Sequence, residues 1–320
     1  MRWISLYTRT YVLWVIVFGV LAYLFPAPFL TMKNHMTWLF AVTMFGIGVT
    51  LHPEDFRNIA RQPRIVAIGA ATQFLVMPFS AFAIAWLLDL PGPIATGLIL
   101  TGAAPDAMAG NVITYLAKAD TAYAISLTTV STLLSPVLTP GLTLLLAGAR
   151  IDVPFSQMFW DVCVMVVFPL LAGFALRAIA RRQIERVLPV FPALSATFIV
   201  FICALVVAGN RDSLVQMTGI VLVACLILNI FGLIMGYAAG WLFRMSRARR
   251  RTLAIEVGMQ NAGLGAVLAL KHLGQEAAMP AAIFVFVCIF TASLLAAYWR
   301  RRTEEEPDVS EMATSKGGLS

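Results

Sequence analysis

Apolar residues follow one another in runs of about 20, the length a helix needs to cross the hydrocarbon of a bilayer, and the runs continue almost end to end. Read between clusters of charge, proline and glycine, they fall near residues 11–29, 36–51, 65–88, 93–117, 122–147, 156–180, 188–208, 216–243, 249–273 and 279–299. In lipid a spanning segment must satisfy its own backbone N–H and C=O groups, so such runs form helices. The pattern predicts an all-α integral membrane protein of ten transmembrane helices with no room for a soluble domain. Composition agrees, with 60% hydrophobic and 12% charged residues against roughly 45–50% and 25% in an ordinary soluble domain.

The basic residues orient these runs, because Lys and Arg resist translocation. Counted by alternate loops, nineteen lie on the side of Arg2, Arg9, Arg57, Lys118, Arg177, Arg249 and Arg300, and four on the other: Lys33, Arg150, Arg211 and Lys271. Both termini are therefore expected in the cytoplasm, with the chain in the cell (inner) membrane. The first run lacks an A-x-A-like cleavage site and reads as a retained helix rather than a signal peptide. The formal charge of +7 comes from these loop clusters, so it does not imply nucleic acid. Cys163, Cys203, Cys225 and Cys288 fall within apolar runs without ligand spacing and read as buried free thiols. Residues 303–320, beginning Thr303-Glu-Glu-Glu-Pro307, read as a disordered cytoplasmic tail.

Five runs precede the loop at Gly148 and five follow it. An odd number per half places the halves, residues 1–149 and 150–302, in opposite orientations, as in inverted-repeat transporters. Their fourth members match. Thr101-Gly-Ala-Ala-Pro-Asp-Ala-Met-Ala-Gly-Asn111 and Glu256-Val-Gly-Met-Gln-Asn-Ala-Gly263 are polar, small-residue interruptions, each followed by about two helical turns and a lysine, Lys118 or Lys271. Pro105 disfavours helix at Ala104, and Gly110 and Asn111 tolerate other backbone. Gly258, Gly263 and Gly265 are expected to do comparable work in the second interruption. Both runs are thus expected to break within the membrane, although such residues can also serve close packing or kinks.

A carboxylate and two amides at membrane depth call for a purpose, since a polar group in hydrocarbon costs a few kcal/mol or more. Glu256 and Gln260 are i and i+4 and would share a face of any helix. A carboxylate, amide oxygens and freed backbone carbonyls suit a hard monovalent cation. Gln73, five residues before Pro78, could reach the same place or simply bridge helices. The hydroxyls Ser126, Thr128, Thr129, Ser131, Thr132 and Ser135 of the fifth run could add ligands or bond back to their own helix.

Together with Gln73-Phe-Leu-Val-Met-Pro78, Asn111-Val-Ile-Thr-Tyr-Leu-Ala-Lys118 and Ser131-Thr-Leu-Leu-Ser-Pro136, the Glu256–Gly263 stretch resembles the bile acid:sodium symporter family over about residues 10 to 300. The resemblance implies a panel domain from spans 1, 2, 6 and 7. It implies a core domain from spans 3–5 and 8–10, in which spans 4 and 9 break and cross. It also implies two sodium sites. The second would use Gln73, Glu256 and Gln260 with backbone oxygens of Val257 and Met259. The first would use Asn111, Thr128 and Glu256 with two serines that fall at Gly110 and Ala124, where both ligands are missing. Asp106 stands where the family usually has glycine in a CPGGTASN-like turn. It could replace the lost oxygens, carry a proton, or cap the second half of span 4.

The substrate side departs as well. A His-Asn pair of bile-acid-transporting bacterial members falls at Ile289 and Phe290, and their turn threonine at Met108, so a polar pocket has become more apolar. The turn from Pro105 to Gly110 resembles the PGAMAS-like turn of pantothenate-type relatives. The reading is a sodium-coupled symporter of an organic anion, bile-acid-like, pantothenate-like or another carboxylate, with Na+ as the coupled ion and Asn261 facing the substrate cavity. Its nearest rival is a proton-coupled transporter using Asp106 or Glu256. An enzyme would need a catalytic constellation, and His35, His52 and His272 are scattered near run ends. A channel does not call for two matched broken helices. No obligate protein partner is evident.

Overall fold

A computed structural model describes residues 11–149, 151–188, 190–212 and 214–305, and these are helical nearly throughout. The apolar runs become α1 (Tyr11–Leu24), α2 (Met36–Thr50), α3 (Pro63–Leu87), α4 (Gly92–Gly102) with α5 (Ala109–Leu116), and α6 (Thr121–Ala147). There follow α7 (Phe155–Val162) with α8 (Phe168–Ile179), α9 (Val190–Gly209), α10 (Leu214–Leu242), α11 (Arg247–Gly258) with α12 (Ala262–His272), and α13 (Gln275–Glu305). Short helices at Pro26–Leu30, Pro53–Arg61 and Arg181–Val187 connect them.

Among the described residues, five segments are long and apolar enough to cross a membrane unaided: Pro63–Leu87, Thr121–Ala147, Phe155–Ile179, Met217–Leu242 and Gln275–Arg302. A sixth candidate arises if Leu13–Leu24 and Pro26–Thr50, bent by 111° at their junction, form one broken span. The chain is a multi-pass helical membrane protein.

Three expectations change. The first run does not continue to residue 29, because Phe25 leaves the helix at φ −127° and ψ 73°, as a residue before proline tends to do. Residues 303–305 extend α13 rather than opening a disordered tail, and residues 306–320 lie outside the described residues, as do Arg2, Arg9, Arg150 and Lys316. The sixth run is also not uniform, since a π-helical turn at Cys163–Val167 separates α7 from α8.

Helix contacts without polar glue need small residues that let backbones approach. A Cβ on Gly48 would run into the backbone of Leu170, and one on Gly173 into that of Phe45, so α2 and α8 lie in close contact. Gly97 does the same for α4 against Ala277 of α13, and Gly236 for α10 against Leu253 and Ala254 of α11. α1, α2, α8 and α9 pack on one another, while α3, α4, α6, α10, α11 and α13 enclose the two breaks. At one proline inside a helix the freed carbonyl has a substitute donor: Pro136 cannot bond to Thr132, and the Ser135 hydroxyl donates to that carbonyl at 2.7 Å.

Candidate functional site

The two helix breaks meet. Residues 103–108 separate α4 from α5, residues 259–261 separate α11 from α12, and Asp106 pairs with Gln260 in an antiparallel bridge. The Ala107 N–H donates to the Met259 carbonyl at 2.9 Å and the Asn261 N–H to the Pro105 carbonyl at 2.7 Å. Each break thus supplies the partners the other lacks, which lets non-helical backbone persist in a fully packed interior.

Side chains take the remaining carbonyls. Thr139 donates to Ala103 at 2.8 Å, Gln73 Nε2 to Ala104 at 3.1 Å, Gln260 Nε2 to Val257 at 2.9 Å, and Asn229 Nδ2 to Gly258 at 2.8 Å. Asn229 also accepts from the Thr291 hydroxyl at 2.6 Å, tying α10 to α13 behind the break. The glycines play a different part from the one expected. Gly258 ends α11 and Gly263 and Gly265 lie within α12, none with positive φ. A Cβ on Gly265 would lie in ordinary contact with Ala281 and Thr101.

Glu256 is placed by what precedes it. Asp120 caps α6 by accepting from the Tyr123 N–H at 3.0 Å, and its other oxygen accepts from Arg249 Nε at 3.1 Å. The Asp120 N–H donates to the Thr252 hydroxyl oxygen at 2.9 Å. This fixes α11 against the start of α6, and Glu256, four residues after Thr252, faces the same helix. Its Oε2 accepts from the Thr128 hydroxyl at 2.8 Å and its Oε1 from the Thr114 hydroxyl at 3.4 Å. Asn111 Oδ1 lies 3.4 Å from the same Thr128 hydroxyl. A Cβ on Gly110 would stand 2.8 Å from Glu256 Oε1, so the carboxylate occupies the space beside that residue.

Gln260 does not share a helix face with Glu256, because α11 ends at Gly258 and Gln260 is extended in the bridge. Its Oε1 accepts from Gln73 Nε2 at 2.6 Å, while Gln73 Oε1 is buried without a partner among the described residues. Asp106 is not a helix cap. It stands three residues before α5, whose capping position is Met108 without a side-chain bond, and its Oδ2 accepts from the Ser131 hydroxyl at 3.1 Å. Asp106 Oδ1 is buried without a partner among the described residues. Asn261 is a cap: its Oδ1 accepts from the Leu264 N–H at 3.2 Å at the start of α12.

Three polar clusters therefore line the junction: Glu256 with Thr128, Thr114 and Asn111; Gln73 with Gln260; and Asp106 with Ser131. Both carboxylates are 0% exposed. Neither has a basic partner among the described residues. A buried charge left in that state costs several kcal/mol. On the last helix Ile289 is half-buried against the core, whereas Phe290 is 66% exposed. Of the two matched lysines, Lys271 pairs with Asp161 at 2.7 Å beside His272, which reaches the other oxygen at 2.6 Å, and Lys118 takes positive φ, 50°, past the end of α5. Thr114 and Asn229 were missed from the sequence. Thr114 follows Asn111 by three residues, on one helix face, and Asn229 is a lone amide in an apolar run, the same signal that singled out Gln73.

Two helix breaks thus converge on buried carboxylates and amides in a multi-pass membrane protein, an arrangement that in transporters marks where ions and substrates bind. The chain belongs to the sodium bile acid symporter family, whose model matches residues 37–217. It is 39% identical to the uncharacterized sodium-dependent transporter YocS of Bacillus subtilis (strain 168), over 93% of each chain. It is 34% identical to the probable chloroplastic sodium/metabolite cotransporter BASS1 of Arabidopsis thaliana, over 92% of this chain and 74% of that one. It is 32% identical to the corresponding BASS2 of Oryza sativa subsp. japonica, over 93% and 72%.

Proposed function

We propose that the protein is a secondary active symporter that brings an organic anion into the cell together with sodium. The carrying observation is Glu256, a fully buried carboxylate at the meeting of the two breaks whose only hydrogen-bonding partners among the described residues are hydroxyls. Hydroxyls leave its charge uncompensated, and a bound monovalent cation compensates it. The names of the relatives point to the same ion.

In this reading ten spans form two inverted halves in the inner membrane with both termini in the cytoplasm. Spans 1, 2, 6 and 7 form a panel and spans 3–5 and 8–10 a core. Gln73, Glu256 and Gln260, with carbonyls of Val257 and Met259, hold one sodium ion. The unpartnered Oε1 of Gln73 is a free acceptor for it, and each of the two carbonyls, though already accepting one hydrogen bond, keeps a second lone pair. Asn111, Thr128 and Glu256 are what remains of a first site. The anion lies at the helix N-termini of α5 and α12, whose dipoles favour negative charge. Sodium steadies the junction that the anion needs, each raises the other's affinity, and the core then moves against the panel.

The test is uptake into proteoliposomes of radiolabelled bile salts, pantothenate and keto acids. Accumulation is expected only with an inward sodium gradient. Uptake that follows a pH gradient and ignores sodium would replace this reading by proton coupling.

A further inference from the structure

We infer that Asp106 and Ser131 form a separate sodium site, about one helical turn along α6 from the contact between Thr128 and Glu256, so that two sodium ions are held by two different carboxylates. The inference rests on the sodium-coupled reading above.

Neither missing serine is repaired in place. Glu256 Oε1 fills the space beside Gly110, and the Thr128 hydroxyl is engaged with Glu256 Oε2. Asp106 is not directed there. Its carboxylate turns to Ser131, and the Asp106 N–H also points to the Ser131 hydroxyl at 3.4 Å. Thr128 and Ser131 are three residues apart on α6, so the helix presents one hydroxyl to each acid along a single face.

Charge counting then separates the two positions. Asp106 and Glu256 are both fully buried, and among the described residues no basic side chain pairs with either. One monovalent cation neutralises one of them. A neutral asparagine at 106 would satisfy Ser131 without a desolvated charge, so a carboxylate is the costly choice unless it has an ion to hold. The donors suit a hard cation: both Asp106 oxygens, one of them unpartnered, and the Ser131 hydroxyl oxygen.

The experiment counts bound ions. Purified full-length protein in detergent is equilibrated with radioactive sodium by dialysis, with choline chloride balancing ionic strength, for the wild type and the Asp106→Asn, Ser131→Ala and Glu256→Gln variants. Melting in choline alone reports whether each variant is folded. The expected result is two sodium ions per wild-type chain and one for Asp106→Asn. Ser131→Ala is expected to weaken one ion by about tenfold or more, the weight of one interaction with a charged group. Asp106→Asn retaining every wild-type ion overturns the inference, and so does a wild type that binds a single ion lost in Glu256→Gln. If Asp106→Asn does not fold, unchanged binding in Ser131→Ala overturns it. Should Glu256→Gln bind as the wild type does while Asp106→Asn loses an ion, the assignment of sodium to Glu256 fails and the site at Asp106 stands.

Discussion

Glu256 holds the chemistry of the junction because it is charged, fully buried and met only by hydroxyls among the described residues. Glu256→Ala is expected to abolish sodium-dependent uptake and to reduce the thermal stabilisation by sodium to the part that the ion at Asp106 supplies, measured by melting the purified protein with sodium and with potassium. Gly110 tests the crowding beside it. A methyl there would meet Oε1 at 2.8 Å, and the end of a flexible side chain can move at modest cost. Gly110→Ala is therefore expected to leave the protein folded and to raise the sodium concentration for half-maximal uptake by about tenfold, the equivalent of roughly 1.4 kcal/mol of displaced ligand. An unchanged sodium dependence would mean that the carboxylate does not need its present position. At this scale the sequence was a good guide to which residues matter and a poor one to their pairing. Glu256, Gln73 and Asp106 stood out as polar groups in apolar runs. Spacing could not say that Gln260 leaves the helix for a bridge, or that Asp106 turns to Ser131 instead of capping α5.

At the scale of elements, each break is held by the other break and by side chains from helices around it. Asn229 is the clearest of these, donating to the Gly258 carbonyl and accepting from Thr291. Asn229→Ala leaves the buried Gly258 carbonyl without its side-chain donor, while the Thr291 hydroxyl can still donate to the Val287 carbonyl at 2.8 Å, and is expected to cost about 1–3 kcal/mol, read as a lower melting temperature in sodium-free buffer. Helix packing has its own test. Gly97→Val would drive a branched side chain into the backbone of Ala277 and prise α4 from α13. A loss of about 1–3 kcal/mol or more is expected from overpacking, seen as reduced folded yield. Pro105 announced the first break because its ring removes a donor. The second break carries no proline, and its glycines do not take positive φ; the bridge to Asp106, the Asn229 bond to Gly258 and the Asn261 cap hold it where it falls.

For the whole molecule, ligand linkage gives the broadest prediction. A cation that binds the folded junction and not the unfolded chain stabilises by about 2.7 kcal/mol at a hundred times its dissociation constant. Sodium, and not potassium or choline, is accordingly expected to raise the melting temperature in a concentration-dependent way. A salt effect common to all three would remove the case for a specific site. The amino-acid sequence by itself determined the membrane class, the helical runs, the places where two of them are interrupted and the family, because hydrophobic length, proline and charge act locally and are written in order along the chain. Tertiary structure alone decided that the interruptions meet, which carbonyl is taken by which amide or hydroxyl, and that the two buried acids lie with different hydroxyls of one helix. Those outcomes depend on contacts between residues tens to more than a hundred positions apart, such as Asp106 with Ser131 and Thr128 with Glu256, and on satisfying every buried polar group at once, which no local pattern can specify.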